Sequence, residues 1–238
     1  MRATVDPGTI ARLAQLPVER MLADSTLHIV NIYKLEAAAL INPANVTNSQ
    51  VIDQLVRDVF TPYVDLWRGY LGDEAAFRKW ARDLCKSDHA IHATLASLVA
   101  VNLDTLLESV AAWMTSETGR SPRGTWFVMY GPGWTNMGGV AGAGMVADFT
   151  RQRVDKAALT STLAHELTHQ VHTARARDPD AGTVLERIVS EGLASYADFV
   201  HSRGGRSPAR SVGFSDEDWA WSIANERVMI AAVIPILT

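Results

Sequence analysis

The amino-acid sequence predicts an α+β protein that is mostly helical, with one small sheet and a helical hairpin in its second half. Helical periodicity runs almost without interruption over residues 49–118. A stretch rich in β-forming residues and glycine follows at 124–150, and two more helical segments joined by a polar turn come after it. Helices and strands that follow one another in separate runs are typical of the α+β class.

The N-terminal region is expected to contain a helix and then a strand. Residues 8–22, "GTIARLAQLPVERML", have apolar residues at helical spacing, which Pro17 interrupts. Residues 26–33, "TLHIVNIY", alternate in polarity and are rich in β-forming residues, so they predict a strand.

The long helical region that follows has clear boundary signals. Thr47 or Asn48 can cap its first helix, and the pattern is expected to kink or break near Pro62. Gly72 and Asp73 mark the start of the next helix.

One long amphipathic helix is then predicted over residues 89–114, ending before Gly119. The run at 124–134 is rich in β-formers and closes with Gly-Pro-Gly. The run at 136–150 is rich in glycine and is expected to hold a short strand only at its end.

Capping residues delimit the helical hairpin. Its first helix is expected to start after Asp155 and to run to about residue 176, where the polar turn 176–182 begins. Its second helix opens with the capping box from Thr183 to Glu186 and runs to about residue 202.

Composition excludes several classes of protein. With 238 residues, 47% apolar and 20% charged, the chain can bury one substantial core, and we expect a single domain over 1–238. Its helical half would extend to about residue 120. The net charge of −4 and the lack of a basic stripe argue against a nucleic-acid partner.

No membrane association is expected either. The apolar run at 228–238 is too short to span a bilayer, and it suggests a docked terminal helix or a chain that continues past Thr238. An Asp-Pro-Gly break near the N-terminus does not fit a signal peptide. The single cysteine, Cys85, has no partner for a disulfide, so a reducing, cytoplasmic location is the natural interpretation.

Chemistry is concentrated in the segment "LAHELTHQVH", residues 163–172. His165 and His169 are four residues apart, so on a helix they share one face and can both bind one zinc ion. Glu166 lies at the edge of that face, where it can act on a zinc-activated water as general base without being a ligand. The alternative is an amphipathic helix with two exposed histidines.

The third ligand has to be chosen among several residues. His172 returns to nearly the same face, but it lies about 10 Å along the helix axis from His165, too far for a single zinc. Glu191 is on the second hairpin helix, and Gly192 beside it would permit close approach of the two helices. Glu186 is the competing carboxylate, but the capping box explains it better.

The motif "HELTH" followed by "SEGLASY" resembles the gluzincin group of zinc peptidases. It is particularly similar to a family of uncharacterised bacterial predicted zinc-dependent proteases, in which "HExxH" follows a glycine-rich region and precedes "EGLA". The resemblance covers about residues 124–200. It implies a zincin-like fold, Zn²⁺ held by His165, His169 and Glu191, and peptide hydrolysis with Glu166 as the base.

The chain departs from better-known gluzincins in two places. Four residues after Glu191, where an acid that orients a ligand is often found, the chain has Ser195, so Asp198 or another acid is expected to take that part. Better-known gluzincins take a side chain that stabilises the oxyanion from a segment late in the sequence, but this chain has no tyrosine or histidine after His201. The candidates, of which we favour the first, are Tyr196, His201, Tyr130 and His172.

The glycine-rich run before the site helix has two interpretations. It can form a sheet edge that pairs with the backbone of an extended peptide substrate, or it can be a flexible loop. An apolar subsite and the protein core are both possible places for Trp126, Phe127, Trp134 and Met137.

Two functions therefore follow from the sequence. The first is a zinc metallopeptidase that acts on a peptide or protein substrate. The second is a zincin-like binding or regulatory module with little or no proteolysis. Glu166 favours catalysis, because a structural metal site needs no base between its histidines. The oligomeric state does not follow from the sequence.

Overall fold

The computed structural model describes residues 6–22, 26–86, 88–151, 154–172, 183–202, 205 and 207–237. Its α-carbon contacts divide the chain into two units. Unit 1 comprises Met1–Glu108 and Arg123–Lys156, and unit 2 comprises Ser109–Pro122 and Ala157–Thr238. The described residues are mostly helical with one mixed sheet, which confirms the α+β class.

Unit 1 contains the sheet. Its strands are β1 (Glu19–Leu22), β2 (Leu27–Asn31), β3 (Gly124–Met129), β4 (Met137–Val140) and β5 (Gly144–Asp148). Their order across the sheet is β1-β2-β3-β5-β4. The three central strands are parallel and each edge strand is antiparallel to its neighbour, with Ile29 opposite Trp126 and Phe127 opposite Val146.

The helices of unit 1 are α1 (Pro7–Gln15), α2 (Ile32–Ile41), α3 (Asn48–Leu55), α4 (Val64–Tyr70), α5 (Glu74–Leu84) and α6 (Asp88–Val101). Helix α7 (Leu103–Thr118) begins in unit 1 and continues into unit 2. A cluster of aromatic rings forms part of the core of unit 1. The ring of Trp67 lies 4.8 Å from that of Phe77 and 5.1 Å from that of Trp80.

Local signals set several helix boundaries as predicted. Thr47 caps α3 in a complete capping box, and Asp73 caps α5 through the backbone amide of Ala76. A π-helical segment, Val56–Phe60, follows α3, and the helical pattern breaks at the turn that contains Pro62. Proline has no N–H to continue a helix, so this break was expected.

Three boundary predictions were wrong. The helical pattern of residues 8–22 ends at Gln15, just before the predicted interruption at Pro17, but Glu19–Leu22 then form strand β1 and not helix. The predicted strand over 26–33 ends at Asn31, because α2 starts at Ile32. The predicted helix over 89–114 is interrupted at Asn102, which has a φ of +52°, a left-handed conformation that asparagine tolerates better than most residues.

The glycine-rich run forms a β-hairpin, β4 and β5, and not a loop with one short strand. Strand β4 is an edge of the sheet, and its pairing with a substrate backbone stays a prediction. Of the two possible places for the aromatic and apolar residues of this region, Trp126, Phe127 and Met137 occupy the core, because their side chains are buried in unit 1. Trp134 is exposed.

A buried carboxylate organises the loop after β3. Asp148 accepts hydrogen bonds from the backbone N–H groups of Gly131, Gly133 and Thr150 at 3.0, 2.7 and 2.9 Å. The hydroxyl of Tyr70 donates a fourth at 2.9 Å. Four hydrogen bonds compensate for taking this side chain out of water.

Glu36 is a second buried acid in unit 1. Its Oε2 accepts the backbone N–H of Tyr130 at 2.9 Å. Desolvation raises the pKa of Glu36 well above its usual range; the Tyr130 hydrogen bond opposes this shift, and the nearby Asp148 adds to it. Burial therefore favours the protonated form of Glu36 in the folded protein.

Unit 2 consists of helices in its described part. They are the end of α7, then α8 (Lys156–His172), α9 (Val184–His201), α10 (Pro208–Ser211), α11 (Asp216–Ala224) and α12 (Glu226–Leu237). The predicted polar turn at 176–182 lies outside the described residues. The apolar run near residue 230 forms α12, whose side chains at Val228, Ile230 and Ile234 are exposed.

Within the described ranges, no single helix has both the length and the apolar composition to cross a membrane. One bent pair of helices, Ile91–Val101 with Leu103–Thr118, meets those two criteria when taken together.

Candidate metal centre

Helix α8 presents the two histidines of the HELTH segment on the side opposite its buried face. Leu159, Leu163 and Leu167 recur every four residues and are buried. His165 and His169 have the same spacing but lie about half a turn away around the helix, and their side chains are only partly exposed. The burial of the leucines therefore fixes the direction in which the histidines point.

Donor atoms of three side chains from α8 and α9 lie close together. His165 Nε2 lies 3.3 Å from His169 Nε2 and 3.3 Å from Glu191 Oε2. His169 Nε2 lies 3.6 Å from Glu191 Oε1. Two donors bound to a tetrahedral zinc at about 2.05 Å are separated by about 3.3–3.4 Å. The triangle formed by these three residues therefore has the dimensions that a zinc ion requires.

The donor set also fits zinc chemically. Two imidazoles and one carboxylate leave a fourth position of a tetrahedral ion open, which is typical of catalytic zinc sites. Among the residues that the structure describes, His165, His169 and Glu191 are the three side chains of this kind that come close enough to share an ion.

Ser190 orients one of these histidines. Its Oγ lies 3.0 Å from Nδ1 of His169. When Nδ1–H donates to this hydroxyl, Nε2 carries the lone pair and faces the other two donors. The sequence predicted an acid in this position, such as Asp198, and gave no prediction for Ser190. Its only signal in the sequence is its place directly before Glu191.

Burial shifts the pKa of the groups around this point. Desolvation lowers the pKa of His169; Glu191 opposes that shift, and His165 and His172 add to it. Desolvation raises the pKa of Glu166; His165 opposes that shift, and Glu191 adds to it. A neutral His169 is ready to bind a metal, and a carboxylate with a raised pKa is a better proton acceptor near neutral pH.

The two glutamates of α9 have different surroundings. Glu186 completes the predicted capping box, because its Oε2 accepts the backbone N–H of Thr183 at 2.7 Å. Glu191 is exposed over 65% of its side chain and faces the histidines of α8. The helix cap thus occupies Glu186 and leaves Glu191 as the carboxylate of the centre.

Helix α9 is amphipathic in the reverse sense to most surface helices. Its outward face carries six large apolar side chains that are 42–64% exposed: Val184, Leu185, Ile188, Val189, Leu193 and Tyr196. Ser190 and Glu191 point to the histidines of α8, and Asp198 is buried. On α9 the large apolar side chains thus face solvent while Ser190 and Asp198 lie on the inner side, the reverse of the usual pattern, and Glu186, Arg187 and Glu191 are exposed as well.

Gly192 does not allow a close approach of α8 and α9, and that expectation was wrong. Among the described residues, no heavy atom lies within 4 Å of the place where its Cβ would be. The long side chain of Glu191 bridges the distance to the histidines, so the two backbones need not meet there.

The other residues considered as zinc ligands or as donors to the oxyanion lie outside the triangle of donor atoms. His172 follows His169 by one turn and is exposed. The ring of His201 packs edge-on against that of Trp113 at 4.5 Å. Tyr196, five residues after Glu191, is 64% exposed. Tyr130 belongs to unit 1, where it is buried.

Comparison with known protein families relates part of the chain to a family of predicted proteases. Residues 130–217 are similar to a family described as "Predicted Zn-dependent protease (DUF2268)". The match covers less than half of the chain and includes His165, Glu166, His169 and Glu191. No curated protein and no solved structure matches the chain.

Proposed function

We propose that this protein is a zinc-dependent peptidase of the gluzincin type with a zincin-like fold. The observation that carries the proposal is the triangle of two imidazole nitrogens and one carboxylate group. The nitrogens are 3.3 Å apart and lie 3.3 and 3.6 Å from the two oxygens of Glu191, and Glu166 is on the same helix as the histidines. The similarity of residues 130–217 to a family of predicted zinc-dependent proteases supports it.

The residues of the centre have distinct tasks in this proposal. His165, His169 and Glu191 hold the zinc, and Ser190 keeps His169 in the tautomer that presents Nε2. When bound, zinc supplies a Lewis acid that polarises the peptide carbonyl and makes water a competent nucleophile at neutral pH. Glu166 accepts the proton from the attacking water and passes it to the leaving amine.

Tyr196 is the proposed second donor to the oxyanion. Removing one such donor typically lowers kcat by about 10²–10³-fold. A Tyr196→Phe variant keeps the ring and loses only the hydroxyl, so it should show this loss with zinc content unchanged. Equal kcat in variant and wild type would remove Tyr196 from the mechanism, and His172→Ala would be measured next.

The alternative function is a binding or regulatory module built on the same centre. The exposed apolar face of α9 favours it, because contiguous apolar surface often marks a site of protein association. Glu166 favours catalysis, since its carboxylate lies beside the donor triangle and has a raised pKa.

Two measurements on the purified chain separate these functions. Metal analysis should find about one zinc per chain, and a chain that takes up none after zinc is added back would refute both. A peptide-library digest should then show cleavage by the wild type and little or none by Glu166→Gln. Glu186→Gln is the matched control, because glutamine also completes a capping box and the variant should cleave normally. Equal cleavage by Glu166→Gln would refute the assigned base, and no cleavage by zinc-loaded wild type would favour the module.

A further inference from the structure

Unit 2 contains a cavity of about 460 Å³ next to the candidate centre but separate from its donor atoms. The end of α7, the end of α8 and the second half of α9 form its walls. The apolar residues that line it are Trp113, Met114, Val171, Leu193, Ala197 and Val200. A concave, largely apolar hollow of 300–1,000 Å³ is typical of sites that bind small molecules or side chains.

The cavity has a firm floor and an accessible mouth. Met114 and Val171 are buried and form part of its floor. Trp113 is fixed by its edge-on contact with His201, at 4.5 Å between ring centres. Leu193 and Tyr196 are exposed and stand at the mouth. The hollow is therefore preformed and can be entered from solvent.

The cavity also begins within one helical turn of the proposed zinc ligands. Thr168, which lines it, directly precedes His169, and His172 lines it three residues later. Leu193 is two residues after Glu191. A helix rises about 1.5 Å per residue and an extended peptide about 3.3 Å per residue. When a peptide bond of a substrate lies at the proposed zinc centre, the side chain one or two residues away from that bond can thus reach the cavity.

The charged residues that line the cavity do not favour a ligand of either charge. Glu117 and Arg120, which carry opposite charges, both line the cavity. No net charge results from this pair, so size and apolarity are left as the properties that the cavity recognises.

We propose that this cavity binds one large apolar side chain, aromatic or long aliphatic, of an extended peptide. Its role as a substrate subsite rests on the proposed peptidase function, whereas the binding itself does not. Apolar pockets of this kind discriminate by about tenfold or more for each methylene group that they bury. A phenylalanine peptide should therefore bind at least tenfold more tightly than its alanine counterpart.

Direct binding tests the cavity without any need for catalysis. The full chain, in a zinc chelator, is titrated by calorimetry with acetyl-Gly-Phe-Gly amide and with acetyl-Gly-Ala-Gly amide. Ala197→Leu fills the cavity and should remove the preference for phenylalanine, whereas Ala220→Leu on the exposed surface of α11 should keep it. Leu193→Ser at the exposed mouth is a second variant that does not disturb the core. Equal binding of the two peptides by the wild type, or an unchanged preference in both cavity variants, would overturn the proposal.

A library digest with zinc-loaded protein tests the role as a substrate subsite. Cleavage should be concentrated next to large apolar residues. Ala197→Leu should reduce that preference at least tenfold while it keeps its zinc, and Ala220→Leu should cleave with the wild-type preference. A binding preference that is absent from the cleavage pattern would refute the subsite. If no peptide is cleaved but the binding preference is present, the peptidase function fails and the cavity proposal stands.

Discussion

Replacing Glu191 with alanine should remove most of the stabilisation that zinc gives to this protein. The variant loses one corner of the donor triangle and two of its three edges, so only His165 and His169, 3.3 Å apart on one helix, remain. The side chain is largely exposed, and alanine favours a helix at least as well as glutamate. The zinc-free variant should therefore fold like the wild type.

The size of the effect follows from mass action. Zinc at a hundred times its Kd stabilises a folded protein by about 2.7 kcal/mol. A chain of this length gains about 2–4 °C in Tm for each kcal/mol, so zinc should raise the Tm of the wild type by about 5–11 °C. Loss of a group that merely supports a ligand already costs up to about 100-fold in affinity. If Glu191→Ala loses at least this much affinity for zinc, the same zinc concentration stabilises the variant by about 0.4 kcal/mol or less. Zinc should then raise the Tm of the variant by no more than about 1–2 °C.

The assay is thermal unfolding of chelator-treated protein as zinc is titrated, together with metal analysis of each variant. His172→Ala and Glu186→Gln are the controls, and both should keep the full shift in Tm. A Glu191→Ala protein that keeps the wild-type shift would show that Glu191 is not a ligand. A His172→Ala protein that loses it would show that the axial-distance argument against His172 is wrong.

Three further predictions concern pH and glycine. Because burial lowers the pKa of His169, the unfolded chain takes up a proton on this residue at a higher pH than the folded chain does. Zinc-free protein should therefore lose stability as the pH falls through about 6.5. Urea unfolding measured from pH 8 to 5.5 should show a smaller loss of stability in His169→Asn than in the wild type. Because Glu36 has a raised pKa in the folded state, its contribution to stability is complete below pH 4.5 and is lost as the pH rises. In the same urea assay, the free energy of unfolding of the wild type should therefore fall, relative to that of Glu36→Gln, by up to about 1.36 kcal/mol for each pH unit. Parallel pH profiles of the two proteins would contradict this prediction. Gly192 lies in a helix with open space at its Cβ position, so Gly192→Ala should raise the free energy of unfolding by about 1 kcal/mol. Gly131→Ala should lower it by about 1–3 kcal/mol, because the new Cβ would lie 2.5 Å from Asp148 Oδ2. A higher Tm for Gly131→Ala than for Gly192→Ala would refute this reasoning.

The features that could be predicted from the sequence depend on nearby residues. Thr47, Asp73 and Thr183 cap helices through amides three residues away, so a short stretch contains the whole signal. The pairing of His165 with His169 is equally local, because a spacing of four on a helix determines their separation.

The features that were missed depend on residues far apart in the chain, or on conformations that several residues tolerate. Nothing in the composition of residues 89–114 identifies Asn102 as the residue that adopts a positive φ and separates two helices. The contact of Ser190 with His169 requires that α8 and α9 be placed first. The same is true of Trp113, which joins the cavity wall from α7, more than fifty residues before the ligand histidines.

The reversed amphipathicity of α9 has a consequence for local dynamics. An ordinary surface helix is anchored by its apolar stripe, and so it exchanges its amide hydrogens only when the core opens. The first half of α9 has no buried apolar side chain among its described residues. Its capping box and the polar contacts with the histidines of α8 hold that half, whereas Ala194 is buried in the second half, which contacts α10. Glu191→Ala removes the two contacts with the histidines, so at a fixed pH the amides of α9 should exchange faster in this variant than in the wild type, whereas those of α8 should change less. The order of this helix depends on the centre that it helps to build, and hydrogen exchange along α9 reports the state of that centre.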